Sequence, residues 1–350
     1  MYEHVDAILD SQPVAPCAGS AIGRSRGGRA IRAFTLGSGP NRISLLAGCH
    51  ADEPVGPRLL RHVVGYLSLL PATDPLLTDW EWWIVPHINP DGEQLNRAWY
   101  RDRDAVCDLP AYLLDVVREP PGDDIEFGFP RDAADADARP ENRAVYEWWR
   151  TSSAPWCLHV SLHGMAFAAG PWFLIDAAWQ HRSVRLMERC TQRVRQLGYV
   201  LHDVERHGEK GFVRITRGFC TRPDSRSMQR YFRERGDDGT ATLFRPSSME
   251  TIRSLGPDPL TLVSEMPLFI TPGVGDTLGP PDPRAEEWKA RIEQWRRALA
   301  TGADLGSVRK EAAGAGLVPM PIRDQMILQL TLIAAGLEQV QLARESGPAR

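Results

Sequence analysis

His50-Ala51-Asp52-Glu53 stands directly after the apolar run Ile43–Gly48 and Cys49. An imidazole and a carboxylate three residues apart, at a strand-to-helix turn, can bring both donor atoms onto one metal ion. Zn²⁺ takes such ligands, and catalytic zinc commonly has three protein ligands and one position left for water. The spacing alone is not specific, since His202-Asp203-Val204-Glu205 repeats it. Two further residues join the first pair. His163 closes the apolar stretch CLHVSLHG (157–164), and Glu265 interrupts another, LTLVSEMPLF (260–269). A lone histidine there reads as a satisfied structural residue, and a buried glutamate as the partner of an arginine; unpaired and unused, such a carboxylate is costly. A fourth feature is the turn Asn89-Pro90-Asp91-Gly92, followed by Asn96, Arg97, Arg101 and Arg103. Taken together, these groups fall at the C-terminal ends of apolar strands or on loops leaving them, the edge where open α/β sheets place ligands. The set reads as a hydrolytic metal site.

The elements that must position it follow from periodicity. Residues 30–36, 43–48, 80–88, 157–164 and 260–269 read as strands, and 55–70, 141–150 and 183–197 as helices. Their alternation predicts an α/β fold with a largely parallel sheet. Residues 101–142 are Pro-rich and acidic, with twelve Asp/Glu against five Arg, and read as a long functional loop. Residues 203–235 lean the other way, with nine Lys/Arg against five Asp/Glu. After a Gly/Pro break at 271–283, residues 284–300 and 323–344 read as two amphipathic helices. The expected organisation is a catalytic unit over 1–275 and a helical extension over 284–345.

Composition removes several alternatives. The chain has 350 residues, 43% hydrophobic and 25% charged, which excludes collagen-like, disordered and coiled-coil readings. Its net charge of −4 provides no global field for nucleic acid, and no nucleic-acid partner is expected. Only three of its 41 basic residues are lysine, which reads as compositional bias. No apolar run is read as long enough to span a bilayer. The acidic residues Glu3, Asp6 and Asp10 are unlike a signal peptide, and the six cysteines are scattered. A reduced, cytoplasmic chain without membrane contact is the expectation.

At this level of detail the sequence resembles the zinc carboxypeptidases of the carboxypeptidase A type, as a divergent bacterial-looking member. The resemblance runs from Gly23-Arg24-Ser25 to about Phe269. It is carried by the stretch Gly23 to Arg29, His50/Glu53, Asn89 to Gly92, Arg139-Pro140-Glu141-Asn142, Ser161-Leu162-His163-Gly164 and Ser264-Glu265, in order and with similar spacing. It implies a mixed, largely parallel eight-stranded twisted sheet sandwiched by helices, with a C-terminal helical appendage. It also implies one Zn²⁺ per chain held by His50, Glu53 and His163, with Glu265 as general base. An arginine after the Asn-Pro-Asp-Gly turn would stabilise the oxyanion; Arg97 is the first choice and Arg101 the second. The implied substrate is a peptide or an N-acyl amino acid, the alternatives being a deacylase on this scaffold and a silent binding module.

The sequence also departs from the family. Where members carry Asp-Leu-Asn-Arg-Asn-Phe-Pro, this chain has Asp124-Ile125-Glu126-Phe127-Gly128-Phe129-Pro130. The Asn-Arg pair that grips a terminal carboxylate is replaced by Glu126 and Phe127, which removes a bidentate clamp. Two compensations are weighed: Arg222, with Arg226 and Arg230, binding an acidic group, or Glu126 selecting a cationic one. The bland alternative has the arginines pairing with the acidic 101–142 segment. The tyrosine often found shortly before the catalytic glutamate is missing. Cys49 reads as a buried thiol, His87 as core or support, and His202 and His207 as loop residues.

Overall fold

The computed structural model describes residues 1–203, 208–275 and 282–345. Its strands are β1 (Ser20–Arg24), β2 (Ala30–Leu36), β3 (Asn41–Ala47), β4 (Trp80–Val85), β5 (Trp156–Ala168), β6 (Trp172–Ile175), β7 (Arg214–Thr216), β8 (Phe219–Thr221), β9 (Leu260–Ile270) and β10 (Val318–Pro319). They form one mixed sheet in the order β1-β2-β4-β3-β5-β9-β6-β8-β7, with β10 pairing the far end of β9. Among the described residues there are ten strands where eight were expected. Three of them are short, β10 having two residues and β7 and β8 three each, too short to show a period-2 pattern. The centre, β4-β3-β5-β9, is parallel throughout, and its apolar runs are those of strands covered on both faces.

Side-chain alternation separates the two faces. Ile43, Leu45, Leu158, Val160 and Leu162 are buried beneath the helices Val55–Leu67, Val184–Gln196 and Ile322–Glu345. Leu46, Trp83 and Val85 face the other way and pack with Val145 and Trp149 of helix Pro140–Arg150. With a period of two, His159, Ser161 and His163 lie on the face opposite Leu158, Val160 and Leu162. The register sets His163 beside Glu265, while Leu162 is the last residue of β5 paired to β3. β3 ends there, so the chain that follows it is free to turn back over His163.

The C-terminal helices divide by location. Pro283–Ala300 and Leu305–Gly314 pack over the short helix Leu109–Asp115, which was not anticipated inside the acidic segment. Ile322–Glu345 lies on the sheet instead, with Leu328, Leu330, Leu332 and Ile333 fully buried. Gly336 permits this approach, since a Cβ there would stand 2.9 Å from the Leu262 side chain. This helix is long and apolar enough to cross a membrane by length and composition, with mean hydropathy 1.4, which corrects the reading that no run approaches that length. Most of that stretch is buried against the sheet and its helices.

Several motifs quoted from the sequence interlock. Asp91 accepts hydrogen bonds from Ser25 Oγ (2.9 Å), Gly27 N (2.7 Å) and Arg29 Nη1 (2.7 Å). Glu141 accepts from Arg26 N, and Asn142 Nδ2 donates to Ile125 O. The β1–β2 turn, the Asn-Pro-Asp-Gly turn and the start of helix Pro140–Arg150 are thus tied into one support. Burial opposes ionisation of Asp91, yet the bonds from Arg29, Gly27 and Ser25 hold its carboxyl below the usual range. Asp91→Ala is expected to cost about 2 kcal/mol in urea unfolding at pH 7. A depressed folded-state pKa stabilises above the unfolded value and is lost as pH falls through the folded one. The gap between wild type and variant should therefore shrink below about pH 4.

Candidate metal centre

Three donor groups converge beyond the end of β3. His50 Nδ1 lies 2.7 Å from Glu53 Oε1, His163 Nδ1 3.1 Å from Glu53 Oε2, and the two Nδ1 atoms 3.3 Å apart. Glu53 and His163 are buried, and His50 is half-buried at the cavity edge. Both imidazoles offer the same nitrogen to one point. His50 Nδ1 hydrogen-bonds to Glu53 Oε1, while the buried Glu53 Oε2 has no hydrogen-bond partner among the described residues. Two imidazoles and a carboxylate, with donor atoms within 4.8 Å of one another, are the donor set of a catalytic zinc site. Burial would raise the Glu53 carboxyl, but the two imidazoles hold it well below the usual carboxylate value, so it is ionised as a ligand must be.

The loop bearing this set is fixed from outside. Asn96 Nδ2 donates to Ala51 O and to Val117 O, both at 2.9 Å, while its Oδ1 accepts from Val117 N. The Glu119 carboxylate accepts from Ala51 N and from Asn89 Nδ2. Residues 50–53 are therefore strapped to the 117–119 segment of the acidic loop.

A cavity of about 390 Å³ opens onto His50 and His163, with Glu265 in its wall. Burial pushes the Glu265 carboxyl up to about 7, and the Glu53 carboxylate adds to the effect. Arg118, Glu126 and Arg222 also line this cavity, whose apolar side includes Phe127, Phe232 and Phe244. Arg222 pairs with Glu126, with side chains 7% and 4% exposed respectively. Arg222 thus partners the acidic segment, in the manner of the bland alternative, but inside the cavity rather than on the surface. Arg226 and Arg230 are exposed on helix Ser225–Arg233 and do not reach it.

Arg97 and Arg101 do not line the cavity at the donor cluster. They line a separate cavity of about 230 Å³, beside Pro54 and Pro57. Asn89 caps helix Pro90–Leu95, Asn96 at its end is tied to Ala51 O, and the arginines that follow face the separate cavity rather than the donor cluster. The arginine at the donor cluster is Arg118, where the chain returns; its Nη1 is 3.1 Å from Asp52 Oδ1 and 3.5 Å from Glu53 Oε1. Its one sequence signal is its place in the segment leading to Asp124–Pro130. Lys210, one of three lysines, also lines the cavity and was not anticipated.

Cys49, with Glu126 and His163, forms a second group whose donor atoms lie within 4.8 Å of one another, whereas His87 and His202 join neither group. Cys49 is buried, with Sγ 4.0 Å from Ser161 Oγ. His87 accepts from Asn89 N, and burial lowers its imidazole to about 4, so it is neutral. His202, from the look-alike pair, is buried beside Trp172, 6.2 Å between ring centroids; His207 and Glu205 lie outside the described residues.

A site of this kind at the C-terminal edge of a parallel sheet is the placement that metal-dependent hydrolases of mixed α/β fold use. Comparison with known proteins is more specific. The zinc carboxypeptidase family model matches residues 17–175, which include His50, Glu53 and His163. Carboxypeptidase M of Mus musculus is 29% identical over 163 residues, covering 43% of this chain and 34% of that protein. Zinc carboxypeptidase A 1 of Anopheles gambiae is 32% identical over 93 residues, covering 24% of this chain and 21% of that protein. The matched stretches thus span about a third or less of these relatives. Among solved structures, bovine thrombin-activatable fibrinolysis inhibitor, in complex with a tick carboxypeptidase inhibitor, aligns with TM-score 0.49 and 12% identity over 98% of this chain and 96% of that one. Carboxypeptidase A of Helicoverpa armigera gives 0.47 and 10% over 98% and 72%. Over residues 17–175 the chain is thus similar to the zinc carboxypeptidases.

Proposed function

We propose that this chain is a one-zinc hydrolase of amide bonds, acting on peptides or N-acyl amino acids. The observation that carries the reading is the convergence of His50 Nδ1, His163 Nδ1 and the Glu53 carboxylate on the cavity that also holds Glu265. A zinc ion bound by those residues supplies Lewis acidity, polarising a carbonyl and acidifying water. Glu265, half-buried and poised near neutrality, takes the proton of the attacking water and delivers it to the departing amine. Arg118, already neutralising Asp52 and Glu53, offers a guanidinium to the oxygen on which negative charge develops. The apolar cavity wall holds the organic part of the substrate away from water.

The Glu126–Arg222 pair favours one refinement, a substrate that needs no free terminal carboxylate. Arg118 is engaged by Asp52 and Glu53, and Arg222 by Glu126. A substrate carboxylate would have to displace a carboxylate the protein already supplies. The test is hydrolysis by the zinc-loaded chain of a blocked dipeptide as free acid and as amide, alongside N-acyl amino acids. Comparable kcat/KM for acid and amide is expected, within about tenfold, and sensitivity of both to a zinc chelator. An acid-to-amide preference of about 10³ or more would restore terminal-carboxylate recognition. A chain that binds zinc yet cleaves none of these substrates would favour the silent binding module.

A further inference from the structure

His163 turns Nδ1 towards Glu53 and His50, which leaves Nε2 facing the opposite side. Ser161 Oγ stands 2.8 Å from that nitrogen and Glu126 Oε2 stands 2.9 Å from it. The other Glu126 oxygen meets the Arg222 guanidinium. Both members of this pair are more than nine-tenths buried; the hydrogen bond at Nε2 is the one with Ser161, and the two Glu126 oxygens meet His163 and Arg222 as ion pairs, with no hydrogen-bond partner among the described residues. Arg222 follows β8, whereas Glu126 belongs to the acidic segment, so two distant parts of the chain meet behind one imidazole.

We infer that Glu126, held by Arg222, is the positioning residue for His163 as a metal ligand. An imidazole ligates through its unprotonated nitrogen, and the partner of the other nitrogen decides which one that is. A carboxylate at Nε2 draws the proton there, leaves Nδ1 bare towards the donor cluster, fixes the ring plane and makes Nδ1 a stronger donor. A single anion in this position would be poorly accommodated in a buried site. The guanidinium of Arg222 balances it and prevents the carboxylate from swinging into the cavity. Glu126 thus acts behind the ligand rather than on the substrate, although it stands in sequence where the family's substrate-gripping asparagine is expected. The inference rests on the zinc site proposed above.

The test is zinc affinity of the full chain, by competition with a chromophoric chelator, together with the visible spectrum of the cobalt(II)-loaded protein. Glu126→Gln is expected to weaken zinc binding about 10- to 100-fold and to shift the cobalt bands, with part of the affinity recovered in Glu126→Asp. Because Glu126→Gln strands a buried cation, the double variant Glu126→Gln/Arg222→Met is measured too. It removes both charges, and should show the same loss of affinity with a native circular dichroism spectrum. Ser161→Ala should change affinity less than about threefold. Wild-type affinity and an unaltered cobalt spectrum in the double variant would overturn the inference, as would transfer of the whole loss to Ser161→Ala. A wild-type chain that takes up no zinc would overturn the metal site itself, a result distinct from zinc binding that is indifferent to Glu126.

Discussion

Glu265→Gln is expected to lower kcat about 10²- to 10⁴-fold, the range for loss of a general acid–base group, while zinc content stays at about one per chain. Glutamine keeps the size and polarity of the side chain on β9, so the register that sets it beside His163 is unaffected. It cannot accept and return a proton. The wild-type pH profile should show the same group. A base acts when ionised, so kcat/KM falls as pH drops through its pKa; burial places that carboxyl at about 7 in the metal-free chain. A bound cation nearby favours the ionised form and moves the acidic limb lower. In Glu265→Gln that limb should disappear. An unchanged kcat in the variant, or an acidic limb that survives in it, would remove Glu265 from the reaction.

His163→Ala is expected to reduce zinc from about one per chain to less than about a tenth, and activity with it. His163 contributes one of three donor atoms, and its neighbours Glu53 and His50 cannot close the site alone. The substitution spares the β5 ladder, and the bond from Gln329 Nε2 to the His163 carbonyl is a backbone contact that alanine retains. Far-ultraviolet circular dichroism should therefore remain native, which separates metal loss from unfolding. His202→Ala is the control, since His202 packs beside Trp172 and is not one of the clustered donors, and its loss should leave zinc content unchanged. Full zinc occupancy in His163→Ala would discard the proposed ligand set.

Much of this arrangement was legible because its signals are local. The central strands β3, β4, β5 and β9 announce themselves as apolar runs, though β5 continues past Gly164 to Ala168 and β9 through Pro267 to Ile270, where ladder pairing between them outweighs the local breakers. Helix Val55–Leu67 follows its periodicity to within three residues of the expected end. The two-residue strand β10 and three-residue β7 and β8 carry no such pattern, because pairing with a neighbour and not composition makes them strands. The helix Leu109–Asp115 was hidden in a segment whose acidic, Pro-rich composition reads as loop; Asp108 caps it and Tyr112 anchors it against Trp99, at 5.0 Å.

The sequence by itself determined where each donor stands relative to a strand end. His50 and Glu53 share one turn, and His163 and Glu265 sit on runs apolar enough to be central strands. Backbone alternation and parallel pairing then leave little freedom in how those side chains meet. Which arginine reaches the donors was settled only in three dimensions. Arg97 and Arg118 both follow the Asn-Pro-Asp-Gly turn, and it is the path of the chain, tied by Asn96 to Ala51 and Val117, that brings Arg118 to Glu53. The same holds for Glu126 and Arg222, nearly a hundred residues apart and opposite in charge. A pair that far apart in sequence has no local signature, and its meaning depends on burial, which only the packed structure fixes.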